Sequence, residues 1–135
     1  MGANKHSLIT ASSTLLFRIA LGVALVVISY LAFTPLDIPI ISNLNDKVSH
    51  IAAFFCLALL ADFSWPEMPW NLPKALSLIT YGFFIEVVQA FLPFREFSLW
   101  DMAADTLGLL GYALILPLLL RNSFIATHRH FSPKL

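Results

Sequence analysis

Three features of this 135-residue chain point to an all-α integral membrane protein, a four-helix bundle with short joints. The first is composition: 59% of the residues are hydrophobic, only 12% are charged, and the mean hydropathy is +0.81. A soluble domain is nearer about 45–50% apolar and about 25% charged. Too little polar side chain remains here to clothe a globule in water. The second is a set of four apolar runs, at about residues 14–33, 48–63, 76–92 and 102–120. Each approaches the roughly 20 residues that a helix needs to cross a hydrocarbon core about 30 Å thick. The third is the punctuation between them, where proline-bearing joints hold Trp65, Trp70 and Trp100 at positions suited to an interfacial aromatic belt. No long linker or low-complexity segment interrupts the chain, so residues 1–135 read as one domain.

The first run follows the tail "MGANKHSLITASS". It is span-length and has no clear small-residue cleavage site after it, so it reads as an uncleaved first helix and not as a signal peptide. Gly2 alone is a weak myristoylation signal. "TPLDIPIISN", with Pro35 and Pro39, ends this helix. The second and third runs are short, which predicts that their polar ends extend the helices. "SWPEMPWNLP" separates them, and "LPFREFSLW" separates the third from the fourth. Cys56, the single cysteine, lies within an apolar run and reads as a small core or lipid-facing residue.

Lysine and arginine set the expected orientation. Lys5, Arg18, Lys74, Arg121, Arg129 and Lys134 fall on the side holding both tails and the middle joint, whereas Lys47 and Arg95 fall on the other. The positive-inside rule then puts both termini in the cytoplasm and the first and third joints outside. The net charge of zero implies no nucleic-acid partner.

The third run carries "YGFFIEVVQAF", residues 81–91, with Glu86 and Gln89 in a segment otherwise fit for lipid. A carboxylate at the centre of a span costs roughly 2.5–3.5 kcal/mol on insertion scales. Glu86 therefore belongs near a membrane face or beside partners. The second helix starts on the same side with Asp46, Lys47 and His50, and the region entering the fourth carries Arg95, Glu96, Ser98, Asp101 and Asp105. Asp46 and His50 are i, i+4, as are Asp101 and Asp105, and Glu86 and Gln89 are i, i+3, so each pair shares one helix face. These three faces predict a polar pocket opening outward, with Gly108 and Gly111 allowing close helix packing nearby.

Plainer roles exist for each residue. Asp46 and Asp101 suit helix N-termini through capping and the dipole, and Ser98 suits a cap or a turn. His50 alone suits a hydrogen-bonded interfacial histidine. An ion pair with Arg95 or Lys47 would account for Glu86, and Arg95 is expected to pair with at least one of Glu86, Asp101 and Asp105. His128 and His130 in the C-terminal tail suit solvent.

The stretches "DKVSHIAAFFCLALL" and "GFFIEVVQAFLPFREFSLWDMAADTLGLLGY" resemble the VanZ-like family of small bacterial membrane proteins. Asp46, Lys47, His50, Glu86, Gln89, Arg95, Ser98, Asp101 and Gly108 match that family's pattern over about residues 30–115, and Asp105 stands where the family usually has asparagine. The resemblance implies a multi-pass protein of the bacterial cytoplasmic (inner) membrane with a role at the cell envelope. One family member is associated with teicoplanin resistance, but shared fold does not carry antibiotic resistance to every member.

Three functions compete. The favoured one binds or modulates a cell-envelope lipid, precursor or glycopeptide-like ligand, with Lys47 and Arg95 meeting an anion and Asp46, His50, Glu86, Gln89, Ser98, Asp101 and Asp105 completing the site. The second is a membrane enzyme acting on a lipid-linked or envelope substrate, with His50 or Glu86 as general base, Arg95 as electrostatic stabiliser and Asp101 as orienter. A metal variant would use Asp46, His50, Glu86 and Asp101, but these form no recognised ligand motif, so no metal or cofactor is assigned. The third is an ion-coupled transporter, for which four short helices would need to dimerise. The sequence is compatible with a homo-oligomer. Substituting Asp105 by asparagine is expected to be mild, whereas Asp101→Asn and Glu86→Gln should be damaging.

Overall fold

The structure, a computed structural model, describes residues 5–35, 43–122 and 125–126, with side chains from residue 12 to 35, from 46 to 122 and at 125–126. Four helices follow one another: α1 (Lys5–Phe33), α2 (Asn43–Ser64), α3 (Leu72–Gln89) and α4 (Leu99–Leu119). The all-helical expectation holds for the described residues; the second helix extends beyond its apolar run, and the third extends it at the start but ends at Gln89, short of residue 92. Ser12–Phe33, Asp46–Ser64 and Leu99–Leu119 are long and apolar enough to cross a membrane. α3, with Lys74 near one end and Glu86 near the other, falls outside that group.

Local chemistry explains the boundaries. Asn71 caps α3, its side chain accepting from Lys74 N at 3.2 Å, and Pro73 occupies the first turn, where a missing N–H costs no helix bond. Ser98 caps α4 by accepting from Asp101 N at 3.2 Å, which makes Asp101 a first-turn residue and not the cap itself. Asp46 is likewise in the first turn of α2 and not at its cap. Both carboxylates favour their helix dipoles from there.

Side-chain contacts fix the helix directions. Arg18, about midway along α1, meets Ser64 at the end of α2, and Lys74 at the start of α3 meets Asp62. At the other end Gln89 of α3 reaches Ala32 of α1, and His50 of α2 reaches Asp105 of α4. The bundle therefore runs up, down, up, down. Its core joins Leu21, Phe54, Leu57, Leu78, Tyr112 and Leu116, while Val26, Tyr30, Phe84 and Leu114 face outward from α1, α3 and α4. An apolar core inside an apolar outer surface is what a lipid-facing bundle requires.

α2 and α4 approach most closely at Gly108. A Cβ there would lie 2.5 Å from Ile51 O and 2.9 Å from Phe55 N, so only glycine fits against that backbone. Gly111 differs: a Cβ would sit 3.7 Å from Phe55, an ordinary contact. Only one of the two expected packing glycines is thus required by space. Cys56 lies exposed on α2.

Candidate functional site

The end of the bundle formed by the starts of α2 and α4 and the close of α3 gathers the ionisable residues singled out by spacing. Asp101 Oδ1 meets the Lys47 ammonium, which also lies 3.6 Å from Asp46 Oδ2. His50 Nδ1 is 2.8 Å from Asp105 Oδ1, and its Nε2 is 3.9 Å from Asp101 Oδ2. The i, i+4 pairs on α2 and α4 therefore mesh face to face: the first members, Asp46 and Asp101, meet through Lys47 at the mouth, and the second members, His50 and Asp105, meet one turn deeper. Exposure falls inward along each helix, from 40% at Asp46 and 34% at Lys47 to 22% at His50 on α2, and from 12% at Asp101 to 5% at Asp105 on α4.

Asp105 is held from two sides. His50 takes one carboxylate oxygen, and the other sits where a Cβ on Gly82 would lie 2.7 Å away. Gly82 thus opens the space on α3 that lets a carboxylate enter the bundle interior. Spacing alone did not flag this glycine.

Glu86 is fully buried. Its Oε2 accepts from Ser98 N at 2.8 Å, so it closes the N-terminus of α4 together with the Ser98 hydroxyl. Its Oε1 has no hydrogen-bond partner among the described residues. The carboxylate lies within electrostatic reach of His50, Asp105 and Lys47.

Two candidates stand apart from this cluster. Arg95 makes no ion pair with Glu86, Asp101 or Asp105; its guanidinium donates to Leu31 O at 3.4 Å. The reason is the turn it sits in: Arg95 N bonds back to Leu92 O at 3.2 Å, which aims the side chain at the end of α1. The expected Arg95–carboxylate pair is therefore corrected, and Lys47 is the cation that meets Asp101. Gln89, 6% exposed, donates to Ala32 O at 3.1 Å and ties α3 to α1. His128 and His130 lie outside the described residues.

A second polar network lies at the opposite end. Lys74 Nζ donates to Asp62 Oδ1 at 2.9 Å, Trp65 O at 3.0 Å and Met68 O at 2.8 Å, with Asp62 O at 3.3 Å. Tyr112 donates to Asp62 Oδ2 at 2.6 Å, and both residues are wholly buried. Lys74 thus neutralises a buried carboxylate and gathers backbone carbonyls where α2 ends and the joint turns. Arg18 reinforces this end by donating to Ser64 O at 2.9 Å and stacking 5.6 Å above Trp65. Of the belt tryptophans, Trp70 packs edge-on against Tyr112 at 5.0 Å, while Trp100 is 77% exposed. An apolar groove of about 410 Å³ opens beside Lys74, between Leu21, Leu25, Ala61, Met68 and Tyr81. The cost argument that singles out Glu86 applies equally to Asp62, which was the available signal for this network.

Comparison with known proteins gives one informative likeness. The chain is 38% identical, over 103 residues, to an uncharacterized protein of Schizosaccharomyces pombe. That stretch is 72% of this chain and 59% of the relative, so the chain spans well under two thirds of the relative's length. No protein-family model matches, and no solved structure does.

Proposed function

We propose that this is a multi-pass membrane protein that binds the polar head of a membrane-borne ligand at the Asp46–His50–Asp101 end of the bundle, and modulates that ligand's availability. One observation carries the reading: partly exposed ionisable side chains of α2 converge on buried carboxylates of α4 at one end of a bundle whose flanks are apolar. Polar groups within spans usually face a bundle interior or cavity and mark ligand or ion paths. A ligand with an acyl tail could lie along the flank and present its head at the mouth.

The side chains suggest which heads fit. Lys47 is already engaged by Asp101, and Arg95 by a carbonyl, so a bare anion finds fewer free cations than spacing implied. Asp46, Glu86, Asp101 and Asp105 favour a head bearing amines or hydroxyls, as amino-sugar or peptide-linked lipids do. The VanZ-like motif remains our own reading and is what directs attention to envelope lipids, precursors and glycopeptide-like ligands. The relative is a fission yeast protein, so the proposal names a membrane ligand and no bacterial compartment.

Native mass spectrometry of the protein in mild detergent tests this. A lipid-class ligand should accompany the wild type and be depleted in Glu86→Gln and Asp101→Asn at equal abundance. The same lipid complement on all three would overturn it.

One feature favours a second reading, acid–base chemistry on the same ligand. The His50–Asp105 hydrogen bond orients the imidazole and leaves Nε2 toward the mouth, as a general base requires. The Ser98 hydroxyl serves as a helix cap and Cys56 lies on α2 away from the motif residues, so water would be the nucleophile. Conversion of the co-purified head group during incubation, abolished in His50→Ala, would distinguish catalysis from binding.

A further inference from the structure

Asp46 and His50 from α2 and Asp101 from α4 each offer a ligand atom, and the three atoms lie within 4.8 Å of one another. We infer that these side chains form a binding site for a divalent transition-metal cation of the zinc, cobalt or manganese class. The inference goes beyond the head-group reading and does not depend on it.

The donor set selects the class of ion. One imidazole nitrogen and two carboxylates suit zinc and its neighbours, whereas magnesium and calcium prefer oxygen alone. Three protein ligands leave a coordination position open, as in zinc sites that bind water or substrate.

The surroundings of His50 are those of a ligating histidine. Its Nδ1 is 2.8 Å from Asp105 Oδ1, and Asp105 is only 4% exposed. A metal-bound histidine almost always has its second nitrogen held in this way, which fixes the tautomer and the ring. Donation from Nδ1–H leaves the Nε2 lone pair facing Asp101, 3.9 Å from Oδ2.

Charge balance points the same way. Asp46, Asp101 and Asp105 gather around one ammonium and one imidazole, and Asp101 and Asp105 are buried. Buried charge persists where it is paired or bound to metal. The Lys47 ammonium already rests between Asp101 and Asp46, where positive charge is wanted, on a flexible stem one third exposed. Metal and ammonium thus compete for the same carboxylates, and metal entry would release Lys47 toward the mouth.

The competition gives the test its sign. The 135-residue chain, with His6, His128 and His130 replaced by alanine to remove other imidazoles near its ends, is purified in detergent and stripped with EDTA. Cobalt is followed by its visible absorption and zinc by calorimetry. One equivalent should bind. His50→Ala and Asp101→Asn should weaken binding by more than the roughly 10–100-fold that loss of a supporting partner causes. Lys47→Met should tighten it about tenfold, because the competing cation is gone. If His50→Ala or Asp101→Asn fails to fold, Asp46→Asn and Lys47→Met decide, since both change partly exposed side chains and should move affinity in opposite directions. Absence of saturable binding in both the parent and Lys47→Met overturns the site. So does binding that is indifferent to His50→Ala and Asp101→Asn, or a Lys47→Met affinity no higher than the parent's.

Discussion

Asp105 shows how much a single side chain can settle. Its carboxylate orients His50 and fills the notch left by Gly82. Asparagine at this position keeps the volume and an oxygen to accept from Nδ1–H. Asp105→Asn should therefore lower stability in thermal unfolding by less than about 1 kcal/mol, whereas Asp105→Ala strands His50 and should cost about 1–3 kcal/mol. Arg95→Ala gives up one long bond to Leu31 O and should cost no more than about 1 kcal/mol, far below the loss that a buried ion pair would imply. Sequence pattern located the cluster because i, i+4 spacing and the expense of a buried carboxylate are local properties. It misassigned Arg95 because a turn, and not a helix face, aims that side chain. It passed over Asp62 because that residue lies at the very end of the second run, beside the joint that opens at Ser64.

Helix contacts carry their own tests. Gly108→Ala forces a methyl into the α2 backbone at Ile51 and Phe55 and should cost about 1–3 kcal/mol or more. Gly111→Ala meets only an ordinary contact and should be neutral or stabilising, by up to about 1 kcal/mol from helix propensity. Thermal unfolding of the two variants side by side checks this contrast. The joint between α2 and α3 rests on Lys74. Lys74→Met leaves the Asp62 carboxylate buried without its ammonium and should cost about 3–5 kcal/mol. Adding Asp62→Asn should restore part of that loss, and simple additivity in the double-mutant cycle would mean the two are not coupled. The helices themselves were legible from apolar runs and proline joints. The four-way Lys74 bonding was not, since it joins groups brought together only by the packed joint.

Orientation in the membrane belongs to the assembled chain. We propose that the His50 end faces outward and both tails face the cytoplasm, on the distribution of lysine and arginine. The structure gives Lys74 and Arg18 a second duty, since both are bonded at the opposite end. In a Cys56→Ala background, a cysteine at Phe97 should react with an impermeant thiol reagent added outside intact cells. A cysteine at Glu67, in the exposed α2–α3 joint, should not. Glu67 is a better reporter than Asn71, whose side chain caps α3. Ser42 and Ser132, equally suited by sequence, lie outside the described residues. The reverse labelling pattern would invert the topology and place the proposed metal site on the cytoplasmic face.

The division of polar groups along α3 also bears on biogenesis. This helix brings Lys74 at one end and Glu86 and Gln89 at the other, and of the four it is the one outside the group long and apolar enough to cross a membrane. Its charges are met by Asp62 of α2 and by Ser98 at the threshold of α4, and its glutamine by Ala32 of α1. In a bilayer, then, α3 is a poor passenger on its own. It can leave the translocation machinery favourably only when α2 is beside it, and it becomes secure only after α4 has been synthesised. Membrane integration and tertiary folding would be one event for this segment. A nascent chain halted before residue 98 should leave α3 open to proteases that a finished chain resists.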